Sequence, residues 1–332
     1  MPFSEVLGHA RPLGLLARSI ARGSLPPSLL FTGPDGVGKK LVARAVAEAL
    51  NCLSPHDHDA CGTCAACRRI AKGTHPDVIT IEPPDAGSIK IDQVRPAIAA
   101  TAYRPFEGRW RVVIVDEADR LGDDAENSLL KSLEEPPPAS VFILVTSRPE
   151  MLLATIRSRC SRLRFGRLSA GDVAGFLTGR HGVAADEAHA IAAVADGSPG
   201  RALEAGSKAY RDARAAALVA LQTVAAASSP KARLQAATGL TAGKPSSAGE
   251  REELATRITM LASLLRDLAV VSQGGSASEL ANGDLADDLT QLGGSFGSER
   301  ALQAFAAADR AVAALRRNAS PKIVAAWLSV HL

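Results

Sequence analysis

The chain has 332 residues, enough for two or three domains. Its 46% apolar and 22% charged residues are those of a soluble globular protein, and a formal charge of +3 is too small to argue for nucleic-acid binding by itself. The most apolar runs, 112–115 and 141–145, fall far short of a membrane span; the start MPFSEVLGHA carries Glu5 and no apolar leader core, so a soluble cytoplasmic protein is expected.

Residues 5–22 place Leu and Ile at helical spacing. The apolar SLLF that follows reads as a buried strand running into GPDGVGKK at 33–40. In KLVARAVAEAL, Leu41, Val42, Ala45, Val46 and Ala49 share one face of a helix. DVITIEP (77–83) predicts a second strand and WRVVIVDEAD a third, the latter a continuous apolar run of the kind found in parallel sheets. DAENSLLKSLEE predicts a helix stopped by Pro136, Pro137 and Pro138, and VFILVTS a fourth strand. Strands alternating with helices indicate an α/β core ending near Phe165. From about 168 onward no strand pattern remains; short helices with Gly and Pro stops give way at about 209 to Ala-rich helices. Polar breaks fall at 241–250 and 272–284, and the last segment predicts two helices broken near Ser320-Pro321.

The stretch at 33–40 nearly completes a phosphate-binding loop. Such a loop cradles phosphate oxygens with backbone N–H groups at a helix N-terminus, and its glycines permit the close approach. Gly33, Gly36 and Gly38 supply the turn, and Lys39 is placed for the β- and γ-phosphates. Asp116 and Glu117, ending a buried strand, offer one carboxylate for magnesium and one to polarise an attacking water. Thr146, ending the fourth strand, is a candidate γ-phosphate sensor. The blander alternatives are a Gly-rich turn, acids favoured at a helix start, and a Thr making a local hydrogen bond.

Cys52, Cys61, Cys64 and Cys67 follow the spacing C-x8-C-x2-C-x2-C, which suits a structural tetrahedral Zn²⁺ better than disulfides. His56, His58 and His75 are rival ligands, and Cys160 stands apart as a buried thiol.

Taken together, FTGPDGVGKK, the four-cysteine insert, HPDVITIEP, VVIVDEADRLGDDAENSLLKSLEEPP, TSRPEMLLATIRSRC and GSPGRALEAG resemble the delta-prime subunits of bacterial DNA polymerase III clamp loaders, which are AAA+ proteins. The resemblance covers roughly residues 1–205; the C-terminal 120 residues match only in length and helical character. It implies an AAA+ core at 1–166 with a zinc insert at about 52–67, a helical lid at 167–208 and a helical oligomerisation collar at 209–332. It also implies a ring with motor (gamma/tau) and delta subunits that uses ATP to open the sliding clamp and place it on primed DNA. In that family the SRC triplet carries an arginine finger, here Arg159, and Arg201 aligns with a second nucleotide sensor. The chain departs from the loop pattern at Lys40, where a Ser or Thr should ligate magnesium. A lysine has donors and no acceptor, so the resemblance implies weak or metal-poor ATP or ADP binding, slow or absent hydrolysis and a non-motor role. An active motor subunit, and a zinc-dependent DNA-binding module, are the competing readings.

Overall fold

The computed structural model describes residues 1–84, 87–205, 208–227, 249–276, 279–317 and 319–332. The chain forms two compact units: residues 1–172 with 197–200, and 173–196 with 201–332.

The first unit is built on one parallel sheet. Helix α1 (Ala10–Ala21) precedes strand β1 (Ser28–Thr32), α2 (Lys39–Asn51) and α3 (Ala65–Ala71). Then come β2 (Val78–Ile81), α4 (Ile91–Thr101), β3 (Arg111–Val115), α5 (Asp123–Glu134), β4 (Ser140–Thr146), α6 (Ala154–Arg159) and β5 (Ser161–Arg164). The strand order is β2-β3-β4-β1-β5, with every pairing parallel. This is the α/β core expected from the sequence.

Strands β1, β3 and β4 are buried along their whole length because helices cover both faces. Alternate residues divide between two cores. Leu29, Phe31, Val112, Ile114, Val141 and Ile143 pack with α1 and α2, while Leu30, Val113, Val115, Phe142 and Leu144 pack with α4 and α5. The order sets β1 beside β4, and β4 beside β3, so the loops after β1, β3 and β4 share one edge of the sheet. Ligands of open α/β sheets bind at that carboxyl edge.

Three local outcomes differ from expectation. The helix read over 5–22 is a short turn at Phe3–Glu5 followed by α1, because Gly8 and His9 take positive φ, which no right-handed helix admits. The fifth strand pairs with β1 although Ser161, Arg162 and Arg164 carry no apolar pattern; only Leu163 packs on the core. Helices α3, α4 and α6 are also present where none was read.

At the opposite edge of the sheet, the loop before β3 is nailed down by one acid. Buried Asp77 accepts the backbone N–H groups of Phe106, Glu107 and Gly108 at 2.6, 2.9 and 2.8 Å, and pairs with Arg111 Nη2 at 2.7 Å. Burial alone would raise the Asp77 pKa, but these donors outweigh it and bring it to about 2. Asp77→Ala leaves the buried Arg111 guanidinium without its carboxylate, so urea denaturation at pH 7 should show a loss of about 3–5 kcal/mol. The sign of the pH effect follows from a depressed folded pKa. The contribution is full above the ordinary value of 3.8 and fades as pH falls toward about 2, so variant and wild type should converge over that window. A loss below about 1 kcal/mol at pH 7 would refute the role.

The second unit is helical. It includes α7 (Ala170–His181) from residue 173, α8 (Ala185–Val194), α9 (Pro199–Ala205) from residue 201, α10 (Lys208–Ala226), α11 (Gly249–Ser272), α12 (Ala286–Phe296), α13 (Ser298–Arg316) and α14 (Pro321–His331). Its core interleaves Ala217, Ala301, Ala304, Ala308 and Ala311 with Leu261, Leu264, Leu265 and Leu268. Buried Asp267 accepts from Ala281 N at 3.1 Å and from Asn282 N at 2.7 Å, tying the turn before α12 to α11. The break expected near Ser320-Pro321 separates α13 from α14, and the one at 241–250 lies outside the described residues except for 249 and 250. Among the described residues, no strand follows Arg164 and no helix is long and apolar enough to cross a membrane.

Candidate nucleotide site and cysteine cluster

The loop from β1 to α2 closes around its own lysine. Lys39, the first residue of α2, is buried and donates from Nζ to the carbonyls of Gly33 and Pro34, both at 2.7 Å. Burial lowers its pKa despite the nearby carboxylates. Gly33 has φ +151°, and a Cβ there would lie 2.1 Å from the Phe165 carbonyl oxygen, so the backbones meet only because the residue is glycine. The loop is braced from outside. His9 Nε2 donates to Val37 O at 2.8 Å, and Gly200 N–H donates to Gly36 O at 2.9 Å.

Lys40 does not turn to solvent. Its Nζ lies 3.0 Å from Asp116 Oδ2 and 2.8 Å from Glu82 Oε1, joining the first turn of α2 to the ends of β3 and β2. Burial opposes its charge, but the two carboxylates outweigh that and raise its pKa. A divalent cation at this position needs oxygen ligands. Lys40 supplies none, and its ammonium already holds Asp116, the carboxylate read as the magnesium ligand. The residues present do not fit magnesium.

The other candidate residues already hold partners. Glu117 has a left-handed φ of 46°, is exposed and pairs with Arg120 at 2.9 Å. Thr146 donates to Asp119 Oδ1 at 2.6 Å, and the same carboxylate takes Arg148 Nε and Nη2 at 2.8 and 2.6 Å. Asp119 and Glu82 join the site through the fold. The sequence signal for Asp119 is its place as the third acid of DEAD; for Glu82 it is only a position at a strand end. Gly33, Gly36, Gly38, Lys39, Lys40, Asp116 and Thr146 thus gather at one sheet edge. Arg159 instead ends α6, where Nη1 donates to Thr155 O at 3.1 Å and Nη2 to Glu134 Oε1 at 3.2 Å. Arg201 belongs to the second unit, is exposed and lies 4.0 Å from Asp196.

The four cysteines converge. The Sγ atoms of Cys52, Cys61, Cys64 and Cys67 all lie within 4.8 Å of one another. Sulfurs around a tetrahedral zinc, with bonds of about 2.3 Å, stand about 3.8 Å apart, so the set fits that ion. Backbone N–H groups already point at the sulfurs: Cys61 N to Cys52 at 3.2 Å, Cys64 N to Cys61 at 3.3 Å and Cys67 N to Cys64 at 3.5 Å. N–H groups of Thr63 and Cys64 bring the Cys61 thiol down to about 6, while burial pushes Cys67 up. His75 lies outside the cluster; its Nδ1 accepts from Asp77 N at 3.2 Å and its Nε2 faces Glu107. His56 is bridged through its backbone to Asp59. Cys160 is buried beside α6, and burial raises its pKa to about 12.

Residues 8–169 match the family model described as DNA polymerase III, delta subunit. The chain is 38% identical over 158 residues to the DNA polymerase III subunit tau of Escherichia coli, a match covering 48% of this chain and 24% of that one. It is 42% identical over 132 residues to the DNA polymerase III subunit delta' of Pseudomonas aeruginosa, covering 40% of each. The chain thus spans well under half the length of these two relatives. Among solved structures, the Holliday junction branch migration motor RuvB of Thermotoga maritima is similar at a TM-score of 0.44 and 18% identity, over 87% of this chain and 88% of that one. The similarity to the family described as DNA polymerase III, delta subunit, covers residues 8–169, just under half of the chain, and the two relatives carry the names tau and delta'.

Proposed function

We propose that the chain is a non-motor subunit of a DNA polymerase III clamp loader, organised as a core at 1–166, a lid at 167–208 and a collar at 209–332. Its partners in this reading are motor (gamma/tau) and delta subunits, with the sliding clamp and primed DNA reached through the complex. The observation that carries it is Lys40. A phosphate loop with an ammonium locked onto Asp116 keeps the architecture of an ATPase and lacks the means to bridge the β- and γ-phosphates with a metal. Arg159, at the end of α6 and held among the described residues by an exposed carboxylate and one carbonyl, is then a finger for a neighbour's nucleotide. The cysteine cluster holds a structural zinc, which would fix the insert by binding four thiolates.

The motor reading draws support from the similarity to tau and from the presence of Lys39, Asp116 and Glu117. The two separate on one comparison. The full chain mixed with tau-type and delta subunits should elute as a stable hetero-oligomer by size exclusion with light scattering, and alone should show no steady ATP turnover. Turnover by the isolated chain would establish the motor reading instead.

A further inference from the structure

Strand β5 ends the sheet, pairing with β1 and with no other strand among the described residues. Two contacts fix its inner edge. Phe165 N–H donates to Thr32 O at 2.7 Å, and the Thr32 hydroxyl donates to the Leu163 carbonyl at 3.4 Å. In a parallel ladder a residue turns its N–H and C=O to the same neighbour, and alternate residues turn to opposite sides. Leu163 and Phe165 face β1, so Arg162 and Arg164 present their N–H and C=O groups outward. That edge offers donors and acceptors to a further strand.

The side chains give the edge one sign. Residues 151–171 carry five arginines and no acid. Arg159 is turned to Glu134, but no carboxylate pairs with Arg162 or Arg164 among the described residues, and both are exposed. Two apart on a strand, they share a face and stand about 6.6 Å apart along it. Arg162 is also held in place. Its Nε donates to Thr32 Oγ1 at 3.2 Å, which leaves both Nη groups for an anion. Charges on an edge strand turn apolar strands away. A strand with carboxylates at alternate positions has the same period as these arginines, and can meet both from one face.

We propose that the outer edge of β5 docks an extended acidic segment of another protein, which adds to the sheet as a strand with Glu or Asp at alternate positions facing Arg162 and Arg164. Main-chain hydrogen bonds supply the pairing and the two guanidinium groups supply the selectivity. The backbone decides between a polypeptide and a nucleic acid. The outward carbonyls of Arg162 and Arg164 need donors, which an extended peptide carries along its edge and a phosphate backbone lacks. The one aromatic side chain within residues 157–167, Phe165, is buried, so the edge has no platform on which bases could stack. The docking site depends neither on nucleotide at the glycine loop nor on assembly into a loader.

The test is fluorescence anisotropy at low salt, with the full chain and a short labelled peptide that alternates Glu with Val and Thr. Two further probes accompany it: the same peptide N-methylated on the backbone amides of its pairing edge, and a labelled single-stranded DNA of equal charge. The acidic peptide is expected to bind, and N-methylation to weaken it about tenfold, since it removes donors and leaves every charge. Arg162→Ala with Arg164→Ala should weaken the peptide about tenfold or more. Arg162→Lys with Arg164→Lys should recover part of that loss, because an ammonium keeps the charge without the planar fork. The N-methyl comparison uses the wild-type chain, so it decides even where a variant fails to fold. Equal binding of the two peptides would reduce the edge to a charged surface and overturn the proposal. So would no binding of the peptide, tighter binding of the DNA, or a dimer of the chain, seen by light scattering, that the double Ala variant breaks.

Discussion

Arg159→Ala should lower ATP turnover of the reconstituted loader by about 10³-fold or more at the site this chain completes. Phosphoryl transfer spreads charge over the γ-phosphate oxygens, and an arginine supplied by a neighbouring subunit meets it without reorganising water. The proposed finger stands on a fixed base. Ile156 and Cys160 are buried and anchor α6 on either side of it, so the residue projects from a fixed base. Its present partners are weak: an exposed ion pair to Glu134 at 3.2 Å, worth about 0–1 kcal/mol, and the Thr155 carbonyl. Releasing them costs little against the gain at a γ-phosphate. Arg159→Lys keeps the charge and loses the planar fork, so only a partial rescue is expected. Size exclusion must show that each variant still assembles. Turnover unchanged in an intact complex would remove the finger.

Zinc removal should release the cysteine insert. Metal analysis of the purified chain is expected to give one zinc per molecule, and Cys61→Ser with Cys64→Ser is expected to give none. A four-thiolate zinc carries about 10–16 kcal/mol of apparent binding free energy in small domains at neutral pH. The insert has little else, since its own buried cluster consists of Cys52, Ala60 and Cys67. The loss should appear first as proteolysis within residues 53–63. It should then spread through two connections. Asp59 accepts the N–H groups of Phe3 at 2.8 Å and Ser4 at 3.0 Å, and Phe3 is itself part of the core; Arg109 Nη2 donates to Cys52 O at 3.0 Å. A lowered melting temperature measured by circular dichroism should accompany the proteolysis. A double variant as protease-resistant as wild type would mean that the cysteines do not hold the insert.

Much of this molecule is legible along the chain. Continuous apolar runs mark β1, β3 and β4, because strands covered on both faces need no polar alternation. The glycine loop and the cysteine cluster are equally local, since each is built from one short segment, 33–40 and 52–67. The prolines after α5 and at Ser320-Pro321 mark helix limits by removing a donor and fixing φ. What the sequence leaves open is which strand ends stand side by side. Sheet order decides that, and so it decides that Lys40 meets Asp116 and Glu82, that Thr146 shares Asp119 with Arg148, and that the polar β5 pairs with β1. These contacts join residues far apart along the chain, where spacing carries no information. The identity of Lys40 could be read from one letter; that its charge is spent on the strand-end carboxylate is a property of the parallel sheet, which sets β2 beside β3 and aims the first turn of α2 at both.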